Sequence, residues 1–172
     1  LIVDDLVIVL PGGPNGWSVA AYDHRNGDVV WHVLNDGTAY TSPMLATLGG
    51  VRQILVVTDQ RLAGLTPEDG TLLWDYPWQI RTVPNISQPL LVSPSRLFLS
   101  AGYGKGAALI ELTREDGQFS ASTVWETNRM KNKFSSWNYC LLSSQNSNNS
   151  KTKMMIFSCN FTERYIKYFF TI

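Results

Sequence analysis

A stretch ending in tryptophan occurs three times in this chain, and the interval between its copies limits what the chain can fold into. The first copy, Ala21 to Trp31, reads AYDHRNGDVVW. Val19, Ala21 and Val29-Val30 flank a polar corner running from Asp23 to Asp28, with Gly27 placed for positive φ. This is the pattern of strand, tight turn, strand. Gly64 to Trp74, GLTPEDGTLLW, repeats it with glycine at the same offset and tryptophan last. The third copy, ELTREDGQFSASTVW from Glu111, is looser, with four extra residues between Gly117 and Trp125. Gly27 to Gly70 and Trp31 to Trp74 are both 43 residues, and Gly70 to Gly117 is 47. Ser42-Pro43, Gln88-Pro89 and Ser136-Trp137 form a second landmark, at intervals of 46 and 48 residues.

A period in the forties with several short strands per unit is the signature of a β-propeller blade. Helical solenoids share the period but need amphipathic helices, and no helical pattern precedes residue 137. The expected strands of the middle unit are Ser42 to Leu48, Gln53 to Thr58, Arg61 to Leu65 and Thr71 to Tyr76. Those of the next are Pro89 to Val92, Arg96 to Ser100, Ala107 to Thr113 and Ser122 to Glu126. Leu1 to Trp31 supplies a unit whose first strand is cut or missing. Runs such as ILVVT and LFLS are apolar on both faces, as expected of sheets sandwiched between neighbouring blades.

The recurring tryptophan has a mechanical reason. A blade must bury a broad flat surface, and one indole contributes roughly 150–250 Å² of it. Its N–H still needs an acceptor, which a neighbouring turn can supply. Ligand stacking is the weaker reading, because a ligand site rarely repeats with the fold period. Trp31, Trp74 and Trp125 are therefore expected in the core.

AYDHRNGDVVW also resembles the eleven-residue tryptophan-docking pattern A-x-D-x-x-T-G-x-x-x-W of the PQQ-binding-like β-propeller family. Ala21, Asp23, Gly27 and Trp31 sit in place, with Asn26 where threonine is usual. The second copy keeps Gly70 and Trp74 but has Gly64 and Thr66 in the alanine and aspartate places. The third keeps Gly117 and displaces Trp125. VIVLPGGPNGWSVAAYD, YTSPMLATLGGVRQILVVT and NRMKNKFSS are similar to secreted, outer-membrane-assembly-like bacterial members of that family. The resemblance covers residues 1–136 and implies a ring usually of seven or eight blades, of which this chain holds about three.

From residue 137 the composition changes: serine, asparagine, lysine and phenylalanine rise, and glycine and proline disappear. We expect residues 137–172 to be a non-propeller tail, either a wrong-frame translation or a divergent strand with a disordered linker and an apolar end. The abrupt start at Leu1 reads as that of a fragment or trimmed product. Fourteen basic residues balance fourteen acidic ones, so charge gives no argument for nucleic acid or an anionic membrane. Hydrophobic content of 44% suits a packed core, and no apolar run reaches the roughly 18 residues of a membrane span. Cys140 and Cys159 form neither a metal-spacing motif nor a disulfide framework.

In a four-stranded meander the second-to-third and fourth-to-first connections share one face. The conspicuous loops fall there: Pro11 to Trp17, Gly102 to Gly106, and the crossings Asn35 to Thr41, Gln79 to Asn85 and Asn128 to Lys133. Loops on a rigid scaffold carry function, which makes Tyr40, Arg81, Tyr103, Lys105, Arg129 and Lys133 the binding candidates. Gly102 to Gly106 lacks the strand-loop-helix setting of a phosphate cradle and reads as a wide turn. His24 and His32 have no partner histidine in sequence to suggest a metal site. Glu68-Asp69 and Glu115-Asp116 recur with the repeat and read as turn chemistry.

The expectation is an all-β partial propeller of four-stranded antiparallel blades with tryptophan-docking hairpins. Its expected role is a non-catalytic binding or assembly scaffold, periplasmic or secreted, whose partner is another protein or a small ligand at the loop face. No cofactor is evident. The alternative is a fragment of a quinone-dependent dehydrogenase with PQQ and calcium, its catalytic residues outside this chain. The resemblance would then imply an adjacent cysteine pair and acidic and asparagine ligands, which cannot be matched here.

Overall fold

The computed structural model describes residues 1–80 and 85–129 in full, and the backbone of strands Ser136–Ser144, Lys151–Cys159 and Ile166–Thr171. Every regular element among the described residues is a β-strand. The first sheet is Ile2–Val3 (β1), Leu6–Val9 (β2), Val19–Asp23 (β3) and Val29–Val33 (β4). The second is Met44–Leu48 (β5), Val51–Val57 (β6), Arg61–Leu65 (β7) and Leu72–Pro77 (β8). The third is Leu90–Ser93 (β9), Arg96–Ala101 (β10), Gly106–Glu115 (β11) and Gln118–Thr127 (β12). Each is an antiparallel meander with strands neighbouring in chain order. The three strands beyond residue 135 (β13, β14 and β15) pair into a separate three-stranded antiparallel sheet.

The all-β expectation and the partial-propeller reading hold. The first strand of the first sheet is present as two residues, Ile2 and Val3, paired with Val7 and Leu6. The final strand of the third sheet starts four residues earlier than the periodicity indicated, at Gln118. The extra residues before Trp125 lengthen the β11–β12 hairpin instead of forming a loop.

Alternation along β6 shows how the sheets stack. Ile54 and Val56 point into a cluster with Val3, Ile8, Val19, Ala21 and Trp31 of the first sheet. Leu55 and Val57 point the other way, into a cluster with Leu97, Leu99, Ala108 and Ile110 of the third. All four are at most 1% exposed, which is why ILVVT carries no polar alternation. Phe98 and Leu109 lie on the far side of the third sheet, in a smaller cluster with Trp125 packed against it.

A bulge precedes each repeated tryptophan. Ala21 pairs with Trp31 and Tyr22 with Val29, leaving Val30 as the extra residue. Gly64 pairs with Trp74 and Leu65 with Leu72, leaving Leu73. Leu109 pairs with Trp125 and Ile110 with Thr123, leaving Val124. A bulge adds local twist and re-aims the next side chain, here the indole, inward.

Candidate functional site

The loop connections on the predicted face are joined to one another by hydrogen bonds. The crossing from β4 to β5 is their centre. Its Asp36 carbonyl accepts from Gly13 N at 3.0 Å and from Ser18 Oγ at 2.6 Å, holding the β2–β3 loop. Its carboxylate, 1% exposed, turns toward the second sheet and accepts from Thr58 Oγ1 at 2.8 Å and Arg61 Nη2 at 3.0 Å. Arg61 Nε also stands 2.8 Å from Asp36 Oδ2, outside hydrogen-bonding alignment. Asp75 takes the other arm of the same guanidinium, at 2.8 Å. Burial pulls the Arg61 pKa down, but the hydrogen bond and charge of Asp36, with those of Asp75, outweigh it and hold Arg61 above its ordinary value. Gly37 N donates to Asp59 Oδ1 at 2.7 Å, which ties the crossing to the β6–β7 turn.

The crossing from β8 to β9 is anchored to the same turn. Trp78 N donates to Gln60 O at 2.8 Å. Buried Asn85 donates through Nδ2 to Thr58 O at 2.6 Å and Trp78 O at 3.0 Å, while its own carbonyl accepts from Tyr40 N at 2.8 Å. Asn85 thus ties two crossings together, through its side-chain Nδ2 on one side and its backbone carbonyl on the other, while its buried Oδ1 has no hydrogen-bond partner among the described residues.

Beside this lattice lies a cleft of about 500 Å³, lined by Trp78, Lys105, Ala107, Glu126, Thr127 and Asn128. Lys105 Nζ sits 4.4 Å from the centroid of the Trp78 ring, a cation–π contact. The cleft therefore offers an ammonium, a carboxylate, a hydroxyl and an amide beside an indole, a set suited to recognition of a polar group.

Lys105 is thus in the cleft, and Arg129 is exposed one residue beyond its lining, its N–H donating to Thr127 Oγ1 at 3.3 Å. Tyr103 is 46% exposed on the β10–β11 turn, at a left-handed φ of 53°. Tyr40 is 69% exposed on the β4–β5 crossing and is not part of the cleft lining. Arg81 and Lys133 lie outside the described residues. Sequence reasoning missed Asp36, Arg61, Trp78, Asn85 and Glu126. Only Trp78, an aromatic residue in a crossing, carried a signal that could have singled it out.

The repeated motif residues occupy the opposite rim and the interfaces between sheets. Trp31, 8% exposed, donates from Nε1 to Pro67 O of the second sheet's turn at 3.1 Å. Trp74, 4% exposed, departs from the expectation of a neighbouring turn: its Nε1 donates to Gln53 Oε1 of its own sheet at 2.6 Å. Trp125 falls short of the core position expected for it: it is half-buried against the small cluster on the far side of the third sheet, near Phe98 with ring centroids 6.1 Å apart. Ala21 is buried, Asp23 accepts from Arg25 N at 2.7 Å, and space is open at the Cα of Gly27 and Gly117. His32 stacks on Trp17 with centroids 4.1 Å apart and contacts Gly16 O through Nδ1 at 3.1 Å. His24 Nδ1 lies 2.9 Å from Asp5 O. Among the described residues, no three of His, Cys, Asp and Glu gather as a metal site, and no helix is long and apolar enough to cross a membrane.

A family model described as outer membrane protein assembly factor BamB matches residues 1–139. The chain belongs to this family. No curated protein and no solved structure matches the chain significantly. The BamB-family match spans all three four-stranded sheets and ends inside β13. It therefore includes both the cleft and the hydrogen-bonded crossings of the loop face.

Proposed function

We propose that this BamB-family chain is a non-catalytic assembly scaffold that works outside the cytoplasm of a bacterium and holds another protein on its loop face. The family's description, an outer membrane protein assembly factor, supports a role exercised through protein contacts. The observation that carries the reading is the bracing of that face by Asp36. One buried residue holds the β2–β3 loop with its carbonyl and the second sheet with its carboxylate. A surface fixed in this way has little conformational freedom left to lose when a partner docks. Tyr40 and Tyr103 stand exposed on it, and the Lys105–Trp78 cleft opens beside them. Tyrosine is favoured at such positions because it contributes large contact area with few rotatable bonds.

Photo-crosslinking in cells tests this. A crosslinking residue at Tyr40 or Tyr103 should capture a discrete protein, and the same residue at Asn26, on the opposite rim, should not. Capture from Asn26 alone would overturn the assignment of the face. Calorimetric titration with PQQ and Ca²⁺ supplies the contrast: tight, calcium-dependent binding would replace the scaffold reading with that of a quinone-dependent dehydrogenase fragment.

A further inference from the structure

The outer strands of the three four-stranded sheets end alike and begin differently. From the tryptophan onward they are similar: Trp31–Val33, Trp74–Pro77 and Trp125–Thr127. Before the bulge, β4 contributes one paired residue, Val29, and β8 one, Leu72. β12 contributes six in unbroken register, Gln118 to Thr123, paired with Glu115 to Ile110. A natural edge strand is normally kept short, bulged, charged or proline-bearing, because its unpaired N–H and C=O groups invite another strand. β4 and β8 follow that rule: both are short and bulged, and β8 also carries Asp75 and Pro77. The segment QFSAST of β12 has no charge, no proline, no glycine and no bulge.

This edge is also held in place. Phe119 and Ala121 pack against the core shared with the second sheet, and Thr123 Oγ1 is 2.7 Å from the hydroxyl of Tyr76. Gln118, Ser120 and Ser122 face solvent. Among the described residues the sheet order places β12 at the margin, with β11 as its only paired neighbour. The result is an uncharged, pre-ordered edge six residues long, lengthened by the four extra residues between Gly117 and Trp125.

We infer that Gln118–Thr123 is a self-association edge, on which β12 of a second copy of this chain pairs antiparallel about a two-fold axis. Antiparallel pairing of identical strands is itself two-fold symmetric, so each residue meets the mirror-order position of the same segment. The segment suits such pairing because it brings no like charges face to face: Gln118 would stand opposite Thr123, Phe119 opposite Ser122 and Ser120 opposite Ala121. A zero net charge leaves no long-range repulsion between copies. The third sheet of one copy would continue directly into that of its partner.

Sedimentation velocity of the full chain over a concentration series is the test, together with amide hydrogen exchange at the same concentrations. The expected result is a monomer–dimer equilibrium in which the outward-facing N–H groups of residues 118–123 gain protection as concentration rises. Ser120→Lys and Ser122→Lys should abolish dimerisation with the melting temperature unchanged, because both sites are exposed. Val30→Lys, on exposed apolar surface of the first sheet, should leave the dimer intact. A chain that stays monomeric throughout would overturn the inference, as would a dimer dissolved by Val30→Lys with no change in exchange along β12. The exchange measurement needs no variant, so the inference stays testable if a lysine substitution fails to fold.

Discussion

Trp31 of the first sheet lies across Gly70 of the second. A Cβ on Gly70 would stand 2.6 Å from Trp31 Cε3, while the indole N–H donates to Pro67 O three residues earlier in the same turn. The glycine does two things: it adopts φ 71° to close the turn, and its missing side chain is the space the indole fills. The repeat of glycine and tryptophan thus acts between sheets as well as within one hairpin.

Gly70→Ala should cost about 2–4 kcal/mol, from overpacking against the ring together with left-handed strain. Gly50 has φ 76° with open space around its Cα, so Gly50→Ala should cost only the conformational part, about 1–2 kcal/mol. Urea unfolding of both variants checks the difference. Equal losses would mean that the close approach of Trp31 adds nothing.

Trp74 and Gln53 form a buried pair that can be dissected by a double-mutant cycle. Gln53→Leu strands the Trp74 N–H and removes the bond from Gln53 Nε2 to Leu48 O, at a cost of about 1–3 kcal/mol. Replacing Trp74 by Phe as well removes the stranded donor, so the double variant should lose less than the sum of the singles. Strict additivity would show that the 2.6 Å contact carries no coupling.

The scaffold and the binding surface should separate under mutation. Trp74→Ala removes a buried ring from the core between the second and third sheets and should cost roughly 3–5 kcal/mol. Tyr40→Ser and Arg129→Ala, at exposed positions, should stay within about 0.5 kcal/mol of the parent while weakening capture of the partner. Similar losses of stability in both sets would refute the division.

Asp69 sets an acid-sensitive turn. The Thr66 hydroxyl, and then the Thr71 N–H, hold its carboxyl below the ordinary value of 3.8. The folded value is lower than the unfolded one, so its contribution is complete above the unfolded pKa and is lost as pH falls through the folded one. Asp69→Asn should therefore flatten the fall in stability that sets in as pH drops below the ordinary carboxylate value of 3.8. Parallel stability–pH curves for parent and variant would show that the turn does not contribute.

Local patterns were legible where one residue type has one physical use. Glycine before tryptophan, at a period in the forties, reads directly as hairpin and blade, since few residues close a tight turn and few cover a blade face. The apolar runs of β6 and β10 announced burial on both sides for the same reason. The candidate site was only partly legible. Lys105 was found because glycine-rich turns are conspicuous, whereas Asp36, in the plain stretch LNDGT, gives no sign of being a buried brace.

By itself, the sequence determined the all-β class, the repeat, the meander within each unit and the face on which the long loops gather. These follow from local chemistry: turn residues, strand alternation and a fixed spacing. Tertiary structure alone decided that Trp31 bonds the next sheet while Trp74 bonds its own, and that Asp36, Arg61 and Asn85 lock the loop face. It also decided that the residues inserted before Trp125 become strand instead of loop. Each of these depends on which partner stands within about 3 Å of a donor. Spacing along a chain does not encode that distance; it exists only once the sheets have stacked.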